Sequence, residues 1–235
     1  MKILAIEASS LVASTAILTD DIITAEYTIN HKITHSQTLL PMIDEVCRRT
    51  ETQVEEFDAI AVSSGPGSFT GLRIGSATAK GLGMALDIPI VHVPTLDAMA
   101  YNAFGTDMLI CPIMDARRSQ VYTGIYSFEN ETLITHHEPY AVSIDELLAE
   151  LSAYGRKVIF IGDGIPAARD IIDAKADFSY IYAPAGMNRQ RASSVAVLGA
   201  LYYEQGRTES AAMHLPDYLR MSQAERERKE KERNG

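Results

Sequence analysis

The chain has 235 residues, 46% of them hydrophobic, and a formal net charge of −10, enough for one large domain or two small ones with cores of their own. No apolar run nears the length of a membrane span, and the opening MKILAIEASS is too briefly apolar for a secretory signal. Cys47 and Cys111 form no C-x-x-C and cannot make a disulfide framework, so a cytoplasmic location and no membrane partner are expected.

In chain order, KILAIEAS (2–9), STAILTD and DIITAEYTI (21–29) read as three strands with hairpin spacing, the last two joined at Asp20-Asp21. In THSQTLLPMIDEVCRRT, Leu39, Leu40, Ile43, Val46 and Cys47 recur at helical spacing; Thr34 or Ser36 can cap, and Pro41 falls in the first turns. DAIAVSS (58–64) is a strand, LRIGSATAKGLGMAL (72–86) a helix, IPIVHV a strand and TLDAMAYNAF a helix. From Met108 the order restarts with three β-rich runs, LICPIMDA, QVYTGIYSF and TLITHHEPYAV. SIDELLAELSAY follows as a helix with a Ser143–Glu146 capping box, then strand KVIFIGDG, helix IPAARDIIDA, and helix SVAVLGALYYEQG ended by Gly206.

Both halves open with three strands and then alternate helix with strand. The expected fold is α/β, two duplicated lobes with mixed sheets and flanking helices, at 1–105 and 106–219. Residues 220–235 form a charged tail with no apolar stripe, read as a solvated helix or disorder. That tail holds six Lys/Arg and four Glu, which leaves the body at about −12. So acidic a body repels nucleic acid, and any nucleic-acid partner would be held mainly through another component.

The loop SSGPGSFTGLRIG (63–75) admits three readings. A serine nucleophile at Ser63 or Ser68 lacks the G-x-S-x-G elbow, and none of the six histidines stands in a partner arrangement. A phosphate cradle suits glycines 65, 67 and 71 before a helix N-terminus, although no G-K-[ST] follows. Equally, Gly65 and Gly67 can serve a tight turn. The helix beyond is more telling. Gly75, Ala79 and Gly83 form a nearly bare stripe beside Ile74, Thr78, Leu82 and Leu86, and two helical glycines cost roughly 1 kcal/mol each against alanine. Close approach of another backbone would offset that cost, either the chain's own sheet or a helix of a second protein. The expectation is a helix-to-helix interface made by Leu39, Leu40, Ile43, Val46, Leu72, Gly75, Ser76, Ala79 and Gly83.

SSGPGSFTGLRIGSATAKGL, with HSQTLLPMID before it and IPIVHVPTLDAMA after it, closely resembles the TsaB (YeaZ) family. MDARRSQVYTGIY and LPDYLR are similar to that family's later motifs. The resemblance implies the ASKHA fold of actin, sugar kinases and Hsp70-type ATPases. It also implies a non-catalytic subunit working with TsaD, as a heterodimer, and with TsaE, to place threonylcarbamoyl on adenosine 37 of tRNAs that read codons starting with A. Alone, such a chain should form a homodimer through the same helices.

TsaD-type subunits carry two metal-binding histidines four residues apart after the strand equivalent to IPIVHV; here His92 is followed by Leu96, and Val93 by Asp97, so no catalytic residue and no metal are expected. His35 and His92 then read as surface or packing residues. Glu7 stands where ASKHA kinases place an aspartate, and the candidates for touching a phosphate are Ser9, Ser10, Gly65 and Gly67. No cofactor of its own is expected, with ATP or ADP at a junction with partner subunits. The alternatives are an ASKHA ATPase or phosphotransferase acting alone and, more remotely, a peptidase.

Overall fold

Strands β1 (Lys2–Glu7), β2 (Val12–Thr19) and β3 (Ile22–Asn30) form an antiparallel meander, and β4 (Ala59–Ser63) and β5 (Ile90–Val93) continue it in parallel, in the order β3-β2-β1-β4-β5. The computed structural model describes residues 1–32, 34–117 and 119–219; the charged tail 220–235 lies outside them. β1, β2 and β4 are buried almost throughout and read as apolar runs, as strands covered on both faces must. One face carries helices α1 (His35–Arg49) and α2 (Phe69–Leu86); their apolar stripes meet Leu4, Ile6, Ile17, Ile60 and Val62.

The second sheet repeats the plan. Strands β6 (Leu109–Asp115), β7 (Gln120–Glu129) and β8 (Thr132–Ser143) run antiparallel, and β9 (Val158–Ile161) and β10 (Tyr180–Tyr182) continue in parallel, in the order β10-β9-β6-β7-β8. Helices α4 (Ile144–Ala153) and α5 (Ile165–Lys175) cover one face. The duplication expected from element order is therefore present in the sheet topology. β10 was not foreseen, because three residues carry no periodicity to read.

Two more helices sit between the sheets. Short α3 (Thr95–Tyr101) sends Leu96 and Met99 into a cluster with Ile110, Met114 and Tyr126 of the second sheet. Helix α6 (Ala192–Glu204) packs on the first sheet, with Ala192, Val195 and Ala196 against Ile3, Ala5 and Ala61. The boundary near residue 105 separates the sheets, but 106–219 is not one lobe. Beyond α6, residues 205–219 form a strap back over the first lobe, where Glu209 bridges Ile90 and the Asp217 N–H donates to the Ser64 carbonyl at 2.7 Å. Asp97 stands at the lobe junction, accepting from Tyr126 at 3.0 Å and Tyr202 at 3.3 Å.

The caps follow the sequence in part. Ser143 and Glu146 make the capping box. Thr34 holds the N-cap of α1 without a side-chain hydrogen bond, and α2 begins at Phe69, earlier than the apolar pattern indicated, because Ser68 caps it by accepting from the Gly71 N–H at 3.3 Å.

Candidate functional site

A cleft of about 590 Å³ opens between the lobes, lined by Ser9, Ser10, the loop 66–68 and first turn of α2, and from the second lobe Asp115, Arg117 and Asp163. Its floor is built on strand ends. Glu7, the last residue of β1, is fully buried; its Oε1 accepts from Ser9 N and Ser9 Oγ, both at 2.6 Å, while Oε2 lies without a partner at hydrogen-bond distance among the described residues. Burial pushes this carboxyl up to about 7, against the pull of the Ser9 hydrogen bonds, and the nearby Asp163 raises it further. The group thus changes protonation near neutrality, beneath the cleft rather than on its wall.

The loop's glycines answer to the chain's own backbone. A Cβ on Gly67 would lie 2.2 Å from the Ser9 carbonyl oxygen, one on Gly71 2.1 Å from that of Ala8, and one on Gly65 2.3 Å from that of Asp217. Gly65 also has a φ of +127°, a region that side chains avoid. Its N–H donates to Thr95 Oγ1 at 3.2 Å, and the Ser68 N–H donates to the Ser9 carbonyl at 2.6 Å. Of the four phosphate candidates, Ser9, Ser10 and Gly67 line the cleft, whereas Gly65 does not, and its N–H is spent inside the fold. The turn reading accounts for the glycines.

Sequence reasoning missed the opposite wall. By pattern Gly162-Asp163-Gly164 reads only as a strand end, yet a Cβ on Gly162 would stand 2.2 Å from the Ile113 carbonyl oxygen, so the chain turns tightly there and presents Asp163. Burial raises that carboxyl, and Gln190, itself 1% exposed, donates to it at 3.3 Å. A G-D-G after an apolar strand was the available signal. Asp115 and Arg117 come from the MDARR segment that carried part of the resemblance; the Arg117 N–H donates to Asp115 Oδ1 at 2.7 Å.

His35 and His92 have defined partners. His35 Nε2 donates to the Ser10 carbonyl at 2.8 Å and His92 Nε2 to Asp217 Oδ2 at 2.9 Å. Leu96, four residues beyond His92, is fully buried.

The expected interface residues need correction. Leu39, Ile43, Val46, Leu72 and Ala79 are each under 5% exposed, Ser76 is 5% exposed, and Gly75 and Gly83 are buried. Gly75 lies against Ala8 and Ile6, Gly83 against Ala211 and Ile90, so the bare stripe sits on the chain's own sheet and strap. Only Leu40 of the nine is exposed, at 54%. A second small stripe, Ala77, Gly81 and Ala85, faces solvent on the other side of α2 beside Met84, which is 64% exposed.

Two mixed sheets of matching strand order, facing each other across a cleft with helices at the junction, define a two-lobed ASKHA-type protein. The family model described as "TsaD: tRNA N6-adenosine threonylcarbamoyltransferase" matches residues 23–228. YeaZ from Pseudomonas aeruginosa has the same fold, with a TM-score of 0.79 at 24% identity over 92% of this chain and 99% of that one. The chain is 35% identical to the Bacillus subtilis tRNA threonylcarbamoyladenosine biosynthesis protein TsaB over 96% of each, and 31% identical to the Escherichia coli TsaB over 73% of this chain and 75% of that protein. The chain belongs to the TsaB family.

Proposed function

We propose that this chain serves tRNA threonylcarbamoyladenosine biosynthesis as a non-catalytic subunit that docks on TsaD, with TsaE joining the pair. The observation that carries the docking reading is Gly81. A glycine inside an exposed helix costs about 1 kcal/mol against alanine, and a Cβ at Gly81 would meet nothing within 4 Å in this fold. Bare backbone there admits a partner helix, with Ala77 and Ala85 a turn away on either side and Leu40 and Met84 as apolar contacts. α1 and α2 keep the docking role expected of them, on their outer faces. Without TsaD, a second copy of the chain takes the same face, giving a homodimer. A nucleotide, ATP or ADP, belongs at the junction with partner subunits. tRNA is held mainly by those partners, since the body of this chain is acidic.

The test is co-purification with TsaD and a modification assay with each subunit left out. Gly81→Arg should not lower the melting temperature of the single chain, since a Cβ there meets nothing and arginine favours a helix over glycine, but it should abolish the complex and the homodimer and stop modification. Unaltered TsaD binding by Gly81→Arg would exclude this face. Turnover of ATP by the isolated chain would favour the lone-ATPase alternative.

A further inference from the structure

Where the strap crosses β5, His92, Glu209 and His214 converge, and one donor atom from each lies within 4.8 Å of the other two. His92 Nδ1 and His214 Nδ1 stand 4.0 and 2.6 Å from the same oxygen, Glu209 Oε1. We propose that these three side chains form a site for a divalent transition ion, Zn²⁺ by preference, that fastens the strap to the first lobe.

Two imidazoles and a carboxylate are a donor set that suits zinc over magnesium or calcium. Tetrahedral zinc at about 2.1 Å from each donor separates the donors by about 3.4 Å, so the distances of 4.0 and 2.6 Å bracket what is required. The ring of His92 is already oriented for the task. Its Nε2–H donates to Asp217 Oδ2 at 2.9 Å, which leaves the Nδ1 lone pair facing Glu209. A carboxylate behind a histidine in this way is the usual second layer of a metal site. Without a cation, a lone pair and a carboxylate confront one another. His214 is wholly buried, and its Nε2 has no partner among the described residues. Zinc takes the place of the hydrogen between His214 Nδ1 and Glu209, and that proton moves to Nε2 of the same ring. His92 and Glu209 are 30% and 34% exposed, which admits the ion and a water in the fourth position. Lys80 opposes the ion by charge, but its Nζ is committed to the carbonyls of Ala212 and His214 at 2.9 and 3.0 Å.

The measurement is calorimetric titration of the chelator-treated full chain with ZnCl₂, with melting followed in parallel. The expected result is saturable binding of one ion per chain and a raised melting temperature. His92→Gln, which changes a half-exposed side chain, should keep the fold by circular dichroism and lose both effects. Asp217→Asn should weaken binding roughly 10–100-fold. His137→Gln, remote from the strap, should match the parent chain. Equal zinc binding by the parent chain and His92→Gln, or no saturable binding by the parent chain, would overturn the site.

Discussion

Helices α2 and α6 lie on opposite faces of the first sheet, and each meets it with small residues. On α6, a Cβ at Gly199 would stand 2.4 Å from the Ala61 Cβ; on α2, one at Gly75 would stand 3.2 Å from the Ala8 Cβ. Their outer sides differ. α6 is covered as far as Ala200, with Ser194 donating to Asn102 at 2.6 Å and Tyr202 reaching Asp97 at the lobe junction, and shows solvent Leu201 and Glu204 only in its last turn. α2 shows solvent Ala77, Gly81, Met84 and Ala85. A bare stripe therefore says only that something comes close. The identity of that neighbour depends on which side of the helix the sheet occupies.

The sharpest way to break the comparison is Gly199→Leu. With Ala61 2.4 Å from the first added atom, overpacking should cost about 3 kcal/mol or more, which lowers the melting temperature by roughly 10 °C or leaves the chain insoluble. Normal melting would mean that α6 can leave the sheet.

The next effect lies under the lead-in to α2. Glu7 titrates at about 7 in the folded chain against 4.5 as its ordinary value, so the folded state holds a proton that the unfolded chain has lost. The contribution of Glu7 to stability is fully present below the unfolded value, falls as pH rises through this window, and is smaller by about 3 kcal/mol above the folded value. Glu7→Gln should remove that slope. Denaturant midpoints measured at pH 4.5 and pH 8 should shift in the variant's favour at the higher pH. Parallel profiles for the two proteins would mean that Glu7 is not buried.

Gly75→Leu should then cost about 2 kcal/mol of monomer stability, read by urea unfolding, since Ile6 and Ala8 occupy the space. The smallest effect runs the other way. Gly81→Ala has room for its methyl and should raise monomer stability by roughly 0.5–1 kcal/mol, a gain in melting temperature of a few degrees. Destabilisation by this change would show that α2 is covered on its outer side.

The cleft shows how legibility depends on locality. The Ser143–Glu146 box of α4 was readable, because each side chain acts on a neighbour three residues away, whereas the glycines at the cleft answer to Ala8, Ser9 and Asp217, distant in the chain. Asp163 was not readable, because its role comes from facing Ser9 across two lobes. His92, Glu209 and His214 are likewise separate in the chain and meet only through the strap.

The amino-acid sequence alone determined the order of strands and helices apart from β10, the repeat of that order, and the family, since periodicity, caps and contiguous motifs are local properties of the chain. Tertiary structure decided which face of α2 is bare to solvent, that α6 and the strap serve the first sheet, and which carboxylates and imidazoles converge. Those outcomes rest on packing between segments more than 100 residues apart, such as Gly199 on Ala61 and Asp217 on His92, and no local pattern encodes which of two apolar faces will be covered.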